Sequence, residues 1–308
     1  MEKRKIKLSL EGIAIPSLIS VVLLPLVLLG AGSVFLRSGG FSIAQVSSPL
    51  SYDPRWEVDP LTEEQRAELE KIFSQKFTFL KSGSQVYAFA SYDGKYVLKL
   101  FKMKSLLPKE WLNHFPFFLL KEYRYRKVDL RKKNLQLAFG GFKTAYENFR
   151  EQSGLLFVHL NKTACTGQKI VLTDCKGREF ILDLDTTPFV LQKKAELIRH
   201  RLVKRMESGQ EEMAVEEIRL LLRLIAERLG MGLKDLDPGI KCNYGFIGSV
   251  PVQIDCGRLL FDPAVKAPQQ LEKEIGRVVE RLALWAEPTY PKLCQAIREE
   301  GAKVIADD

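Results

Sequence analysis

The chain is poor in the residues that build metal sites and disulfide frameworks, with three histidines and five cysteines in 308 residues. His114, His159 and His200 stand at no metal-ligand spacing, which argues against a zinc-type centre, and His159, inside an apolar run, reads as a core residue. Cys165, Cys175, Cys242, Cys256 and Cys294 are odd in number and form no Cys-x-x-Cys pair, a pattern of reduced thiols rather than of disulfides. No internal repeat is apparent. Acidic residues are also short, 38 Asp and Glu against 47 Lys and Arg, for a formal charge of +9. That excess fits phosphates, nucleic acid or an anionic membrane as partner, and equally a solvated basic surface. The apolar fraction, 46%, is ordinary for a globular chain long enough for one large or two small domains.

Charge is missing altogether from Gly12 to Leu36. As a helix this run would reach about 37 Å, against a hydrocarbon layer of about 30 Å. Pro16 and Pro25 would kink such a span without excluding it. A secretory signal peptide is the rival, with Ala31-x-Ser33 as its cleavage site, but its apolar core is usually only about 7–15 residues long. The expectation is therefore a basic tail (1–11), an uncleaved transmembrane helix (12–36) and a Ser-, Pro- and Gly-rich linker (37–61), with membrane lipid as a partner of the helix. Lys3, Arg4, Lys5 and Lys7 before the span place the globular part outside the cytoplasm by the positive-inside rule, whereas reduced thiols favour the cytosol, so both topologies stand.

Thr62-Glu63-Glu64-Gln65 is a capping box that opens a helix to about Phe73. Residues 77–102 break into three strands, the last two joined at Tyr92-Asp93-Gly94. From Lys104 to Lys133 the chain reads as mostly helical, a further helix covers Phe142–Gln152, and Leu155–Leu160 is a strand. Lys169–Asp185 is a hairpin turning at Lys176-Gly177, and Phe189–Gln192 is a further short strand. Helices follow over 210–229, closed by Gly230 at the C′ position, over 268–287 and over 290–300. Between them Tyr244–Ile247 and Val250–Ile254 form a hairpin through Gly248-Ser249, which brings Asn243 and Asp255 side by side at its open end. The basic runs Lys121–Lys133 and Arg199–Arg205 read as solvated helix faces. The fold class expected is α+β, a β-rich lobe (62–192) followed by an α-helical lobe (193–308).

The order of these pieces resembles the protein-kinase-like superfamily over residues 74–308: a turn with Ser82-Gly83-Ser84, Val97-Leu98-Lys99 on the third strand, a helix, more strands, a helical lobe, then Asp, Asn and Asp-x-Gly. The resemblance implies ATP and Mg²⁺ as cofactors. It implies that Ser82, Gly83, Ser84 and Lys99 hold phosphates, that Glu147, or Glu151, pairs with Lys99, and that Asn243 and Asp255 hold the metal ion. His-Arg-Asp is missing, and Asp237 and Asp235 are both candidates for the catalytic aspartate. The turn keeps a single glycine, and no Ala-Pro-Glu segment follows Asp255. Three readings follow: a membrane-anchored kinase transferring a phosphoryl group to a hydroxyl acceptor, a pseudokinase that serves as a binding or scaffolding module and leaves room for a protein partner, and an α+β binding protein unrelated to kinases. None implies specific nucleic acid recognition.

Overall fold

A computed structural model describes residues 41–108, 121–164, 166–237 and 239–307. The expected tail and transmembrane helix, His114, Cys165 and the apolar segment 111–120 lie outside the described residues. The chain divides into two units, Met1–Phe41 and Ser42–Asp308, and the elements below belong to the second. Among the described residues no helix is long and apolar enough to cross a membrane.

The fold is mixed α+β, built on a curled seven-stranded sheet. Helix α1 (Glu63–Phe73) opens with the expected box, the Thr62 hydroxyl accepting from the Gln65 N–H and the Gln65 side chain accepting from the Thr62 N–H. Strands β1 (Phe77–Ser82), β2 (Val86–Ser91) and β3 (Tyr96–Phe101) form an antiparallel meander. Gly94 takes the left-handed conformation (φ 71°) in the second turn, which a Cβ would strain. Strand β3 is buried almost throughout because it runs between β2 and β7 (Phe189–Lys193). The order across the sheet is β4-β7-β3-β2-β1-β5-β6, with β4 at Leu155–His159 and the β5 (Lys169–Thr173) and β6 (Glu179–Asp183) hairpin added beside β1. His159 is a core residue, as its apolar surroundings predict, with ring nitrogens on the Thr187 carbonyl (3.0 Å) and Thr163 Oγ1 (2.8 Å).

Several boundaries differ from expectation. Helix α2 runs unbroken from Lys121 to Asn148, so residues 142–148 are its last turns, not a separate helix. It stops at Phe149, and a single turn (Arg150–Ser153) ends on Gly154 in the left-handed conformation. The segment from Ser42 to Leu61 is no free linker. Trp56 packs edge-on to Phe139 of α2 (5.5 Å between ring centroids), the Lys143 ammonium donates to the Glu57 carbonyl, and Asn161 exchanges hydrogen bonds with the Asp53 backbone. Aromatic burial and satisfied backbone groups outweigh its loop-like composition.

After β7 come β8 (Glu196–Leu197), α3 (Ile198–Glu207) and α4 (Glu211–Gly230). Gly230 lies inside α4. The left-handed residue is Gly232 (φ 79°), two positions later, because Met231 remains right-handed at the cap. The strands β9 (Leu233–Asp235) and β12 (Leu259–Phe261) pair antiparallel and were not foreseen, being too short to show a period. Between them lies the expected hairpin of β10 (Tyr244–Ile247) and β11 (Val250–Gln253), turning at Gly248. Helices α5 (Pro268–Ala286) and α6 (Pro291–Asp307) complete the chain. The basic run on α3 is only partly a solvated face, since Arg201 and Arg205 both fold onto the buried Glu217 carboxylate (2.7 and 3.0 Å).

Candidate functional site

Alternation along β3 puts Val97, Lys99 and Phe101 on one face of the sheet. Phe101 packs there against Phe139 and Phe142 of α2, which leaves the Lys99 amine in an apolar setting, 5.4 Å above the Phe142 ring. Lys99 is buried, and its Nζ donates to the Ile254 carbonyl. Burial lowers its pKa, while the neighbouring Asp255 and Cys256 act in the opposite direction. An ammonium so placed is costly, and the exposed Asp255 carboxylate, one residue beyond its hydrogen-bond acceptor, offsets that cost only in part, since burial still prevails.

The expected Lys99–Glu147 pair is not formed. Glu147 binds Lys143, one helical turn back, and Glu151 is exposed on the turn after α2. The reason is rotational: Phe142 is the α2 residue facing Lys99, and five positions further on the helix has turned about 140° beyond a full turn. Sequence distance from β4 does not reveal that phase.

The hairpin brings Asn243 and Asp255 together as its spacing predicts. With Tyr244 opposite Gln253, the Asn243 carbonyl accepts from the N–H groups of Ile254 (2.7 Å) and Asp255 (3.4 Å). The Asn243 side chain is buried; its Nδ2 donates to the Asp237 carbonyl (3.0 Å), while its Oδ1 accepts no hydrogen bond among the described residues. Asp255 Oδ1 accepts from the Gly257 N–H (3.2 Å), which shapes the Asp-x-Gly turn.

The two candidate catalytic aspartates separate. Asp235, on β9, is buried, and its oxygens are taken by the Asp237 N–H (2.8 Å), Gln253 Nε2 (2.9 Å) and Arg228 (3.2 Å). Desolvation pushes its pKa up to about 6, against the pull of Arg228. Arg228 is itself buried and also reaches Tyr244 and Glu274 (both 3.2 Å), so Asp235 belongs to an internal ionic network that ties β9, α4, β10 and α5. Asp237, two residues later, is exposed beside Asn243.

The Ser82–Ser84 turn is brought to the same place. Ser82 Oγ and the Gly83 carbonyl accept from Lys102 Nζ, which lies 4.5 Å over the Tyr87 ring, and Ser84 is exposed. Burial lowers the Lys102 pKa. Lys102 escaped sequence reading; the available signal was its place one residue past β3, opposite Gln85, whose carbonyl accepts its N–H (2.8 Å). Two glycines were also missed as parts of the site. A Cβ on Gly141 of α2 would fall 2.3 Å from the Cys256 carbonyl, and one on Gly257 would fall 3.1 Å from Gln85 Oε1 and 3.3 Å from the Phe142 ring. Helix, turn and Asp-x-Gly segment meet because these positions lack side chains.

Lys99, the Ser82–Ser84 turn, Asn243, Asp255 and Asp237 thus converge, while Glu147 and Asp235 do not present free carboxylates there. No cluster of three or more His, Cys, Asp or Glu side chains able to hold a metal ion occurs among the described residues. The donor set is one carboxylate and one amide oxygen, which suits an ion completed by phosphate oxygens and water, the habit of Mg²⁺.

Comparison with known proteins adds little. No family model and no curated protein matches the chain. Among solved structures, a bifunctional kinase-methyltransferase, WbdD, aligns over 71% of this chain and 43% of its own at 16% identity, with a TM-score of 0.32. The erythromycin complex of Rv3197 from Mycobacterium tuberculosis aligns over 91% of this chain and 75% of its own at 14% identity, with a TM-score of 0.34. The chain therefore spans less than half the length of the first of these proteins, and at such TM-scores neither likeness bears on the fold.

Proposed function

We propose that the protein is a kinase-like phosphotransferase that binds Mg²⁺ and ATP between the seven-stranded sheet and the Asn243–Asp255 hairpin, and transfers a phosphoryl group to a hydroxyl acceptor. The observation that carries this reading is the meeting of Lys99 with the Ile254–Asp255 segment, a buried cation and an exposed carboxylate at one point. In this reading the Lys99 ammonium exchanges the Ile254 carbonyl for a phosphate oxygen. The N–H groups of the Ser82–Ser84 turn cover the phosphates, and Asn243 Oδ1 with Asp255 holds the ion, which neutralises charge on the phosphates. Asp237 orients the acceptor hydroxyl, the role that burial denies to Asp235.

The test is thermal melting of the full-length protein with and without Mg²⁺ and ATP, beside Lys99→Ala and Asp255→Asn. A ligand at about 100 times its Kd stabilises by about 2.7 kcal/mol, a shift of several degrees. Stabilisation in the parent and its loss in both variants is expected; none in the parent overturns the reading.

One observation favours the pseudokinase reading: among the described residues no acidic side chain of α2 pairs with Lys99, whose helix-side neighbour is Phe142. Phosphoryl transfer in the parent that falls by about 10²-fold or more in Asp237→Asn would exclude it. Binding without turnover would establish it.

A further inference from the structure

Beside Asn243 a cavity of about 460 Å³ opens to the surface between α3, the 239–243 turn and α5. The size falls in the usual small-molecule range of about 300–1,000 Å³. Its lining is of two kinds. Ile198, Leu202, Ile240 and Leu282 are buried apolar side chains and Trp285 is half-buried, whereas Arg199 and Arg281 are exposed at the rim. Asn243, a residue only 6% exposed, also lines it and is fixed there by its Nδ2, which donates to the Asp237 carbonyl (3.0 Å).

An apolar lining, a cationic rim and the nearness of Asp237, whose carbonyl Asn243 holds through Nδ2, describe one class of occupant. We propose that this cavity is the acceptor site, and that it takes a soluble single-chain amphiphile with an apolar body, an anionic group held by Arg199 and Arg281, and a hydroxyl directed past Gly239 to Asp237, whose Oδ1 lies 3.3 Å from where a Cβ on Gly239 would stand. The proposal rests on the phosphotransferase reading for the fate of the hydroxyl, and on the cavity alone for binding. In the transfer the acceptor oxygen forms a bond to the γ-phosphorus of ATP as the bond to the bridging oxygen breaks. ADP leaves, and the hydroxyl proton goes to the Asp237 carboxylate.

Cys242 supplies the test, because it is exposed and lines the cavity, while Cys175, also exposed, does not. The full-length protein is alkylated with iodoacetamide, without nucleotide, in the presence of 10-hydroxydecanoate or of the uncharged 1,10-decanediol. Peptide mass spectrometry follows each cysteine. The acid at ten times its Kd is expected to slow Cys242 alkylation about tenfold and to leave Cys175 unchanged. Arg199→Ala should weaken that protection by about tenfold, the worth of one charged hydrogen bond. Leu284→Glu, at an exposed lining position where folding is not at stake, should remove it. No protection of Cys242, or equal protection of both cysteines, overturns the site; equal protection by the diol overturns the anionic class. Protection by the acid in a protein that Mg²⁺ and ATP fail to stabilise would retain the cavity as a binding site and discard phosphoryl transfer. Stabilisation by nucleotide without protection would do the reverse.

Discussion

Asp235 and Asp237 differ by two positions and by almost everything that governs a carboxylate. Asp235 is one charge of a buried network, so truncating it leaves Arg228 short of a partner in the interior. Asp235→Ala is expected to cost about 3–5 kcal/mol in urea unfolding, whereas Asp237→Asn, at an exposed position, should stay within about 0.5 kcal/mol of the parent. The Asp235 carboxyl also predicts a pH dependence. Its folded value, about 6, lies above the ordinary 3.8, so between these values the folded state holds a proton that the unfolded state has released. Its contribution to stability is therefore fully present below about pH 3.8 and is lost as pH rises towards 6. Unfolding free energies measured across that window should fall with pH in the parent and should lose that slope in Asp235→Asn. From sequence the two aspartates were indistinguishable, because spacing to Asn243 says nothing of which one a neighbouring arginine has drawn inside.

At the scale of elements, the site depends on how closely α2 approaches the Asp-x-Gly segment. Gly140 and Gly141 are adjacent in sequence and opposite in circumstance: a Cβ at Gly140 meets nothing within 4 Å, and one at Gly141 meets backbone. Gly140→Ala should raise stability by about 0.5–1 kcal/mol through helix propensity, and Gly141→Ala should lower it by about 1–3 kcal/mol as the helix is pushed away. Thermal melts of the two variants decide this, and equal effects would contradict the contact. The strands β1–β7, the capping box and the β10–β11 hairpin were legible because each carries its own alternation or turn chemistry. The length of α2, the phase of Glu147 on it and the docking of residues 42–61 were not, since they rest on partners far away in sequence.

Over the whole molecule, the helices after β9 are held to α4 partly through Glu300 of α6, whose carboxylate accepts from Arg219 Nε of α4 (2.6 Å) and from Lys303 Nζ (2.7 Å). These bonds lower its pKa from 4.5 to about 2. The sign is opposite to that of Asp235: the stabilisation is complete above about pH 4.5 and is lost as pH falls towards 2. Glu300→Gln should cost about 1–3 kcal/mol at neutral pH and flatten the acid limb of the stability profile, measured by denaturant unfolding at a series of pH values.

Local order in this chain was written in the amino acids: strand periods, the helix cap, left-handed glycine turns, and the pairing that sets Asn243 beside Asp255. These follow from interactions between residues a few positions apart, so a linear reading captures them. Which charges are buried, which aspartate faces solvent, which side of α2 meets Lys99 and where a cavity opens beside Asn243 depend on the packing of elements separated by tens of residues. There the cost of desolvating a charge and the room available for a Cβ select among side chains that look equivalent in sequence.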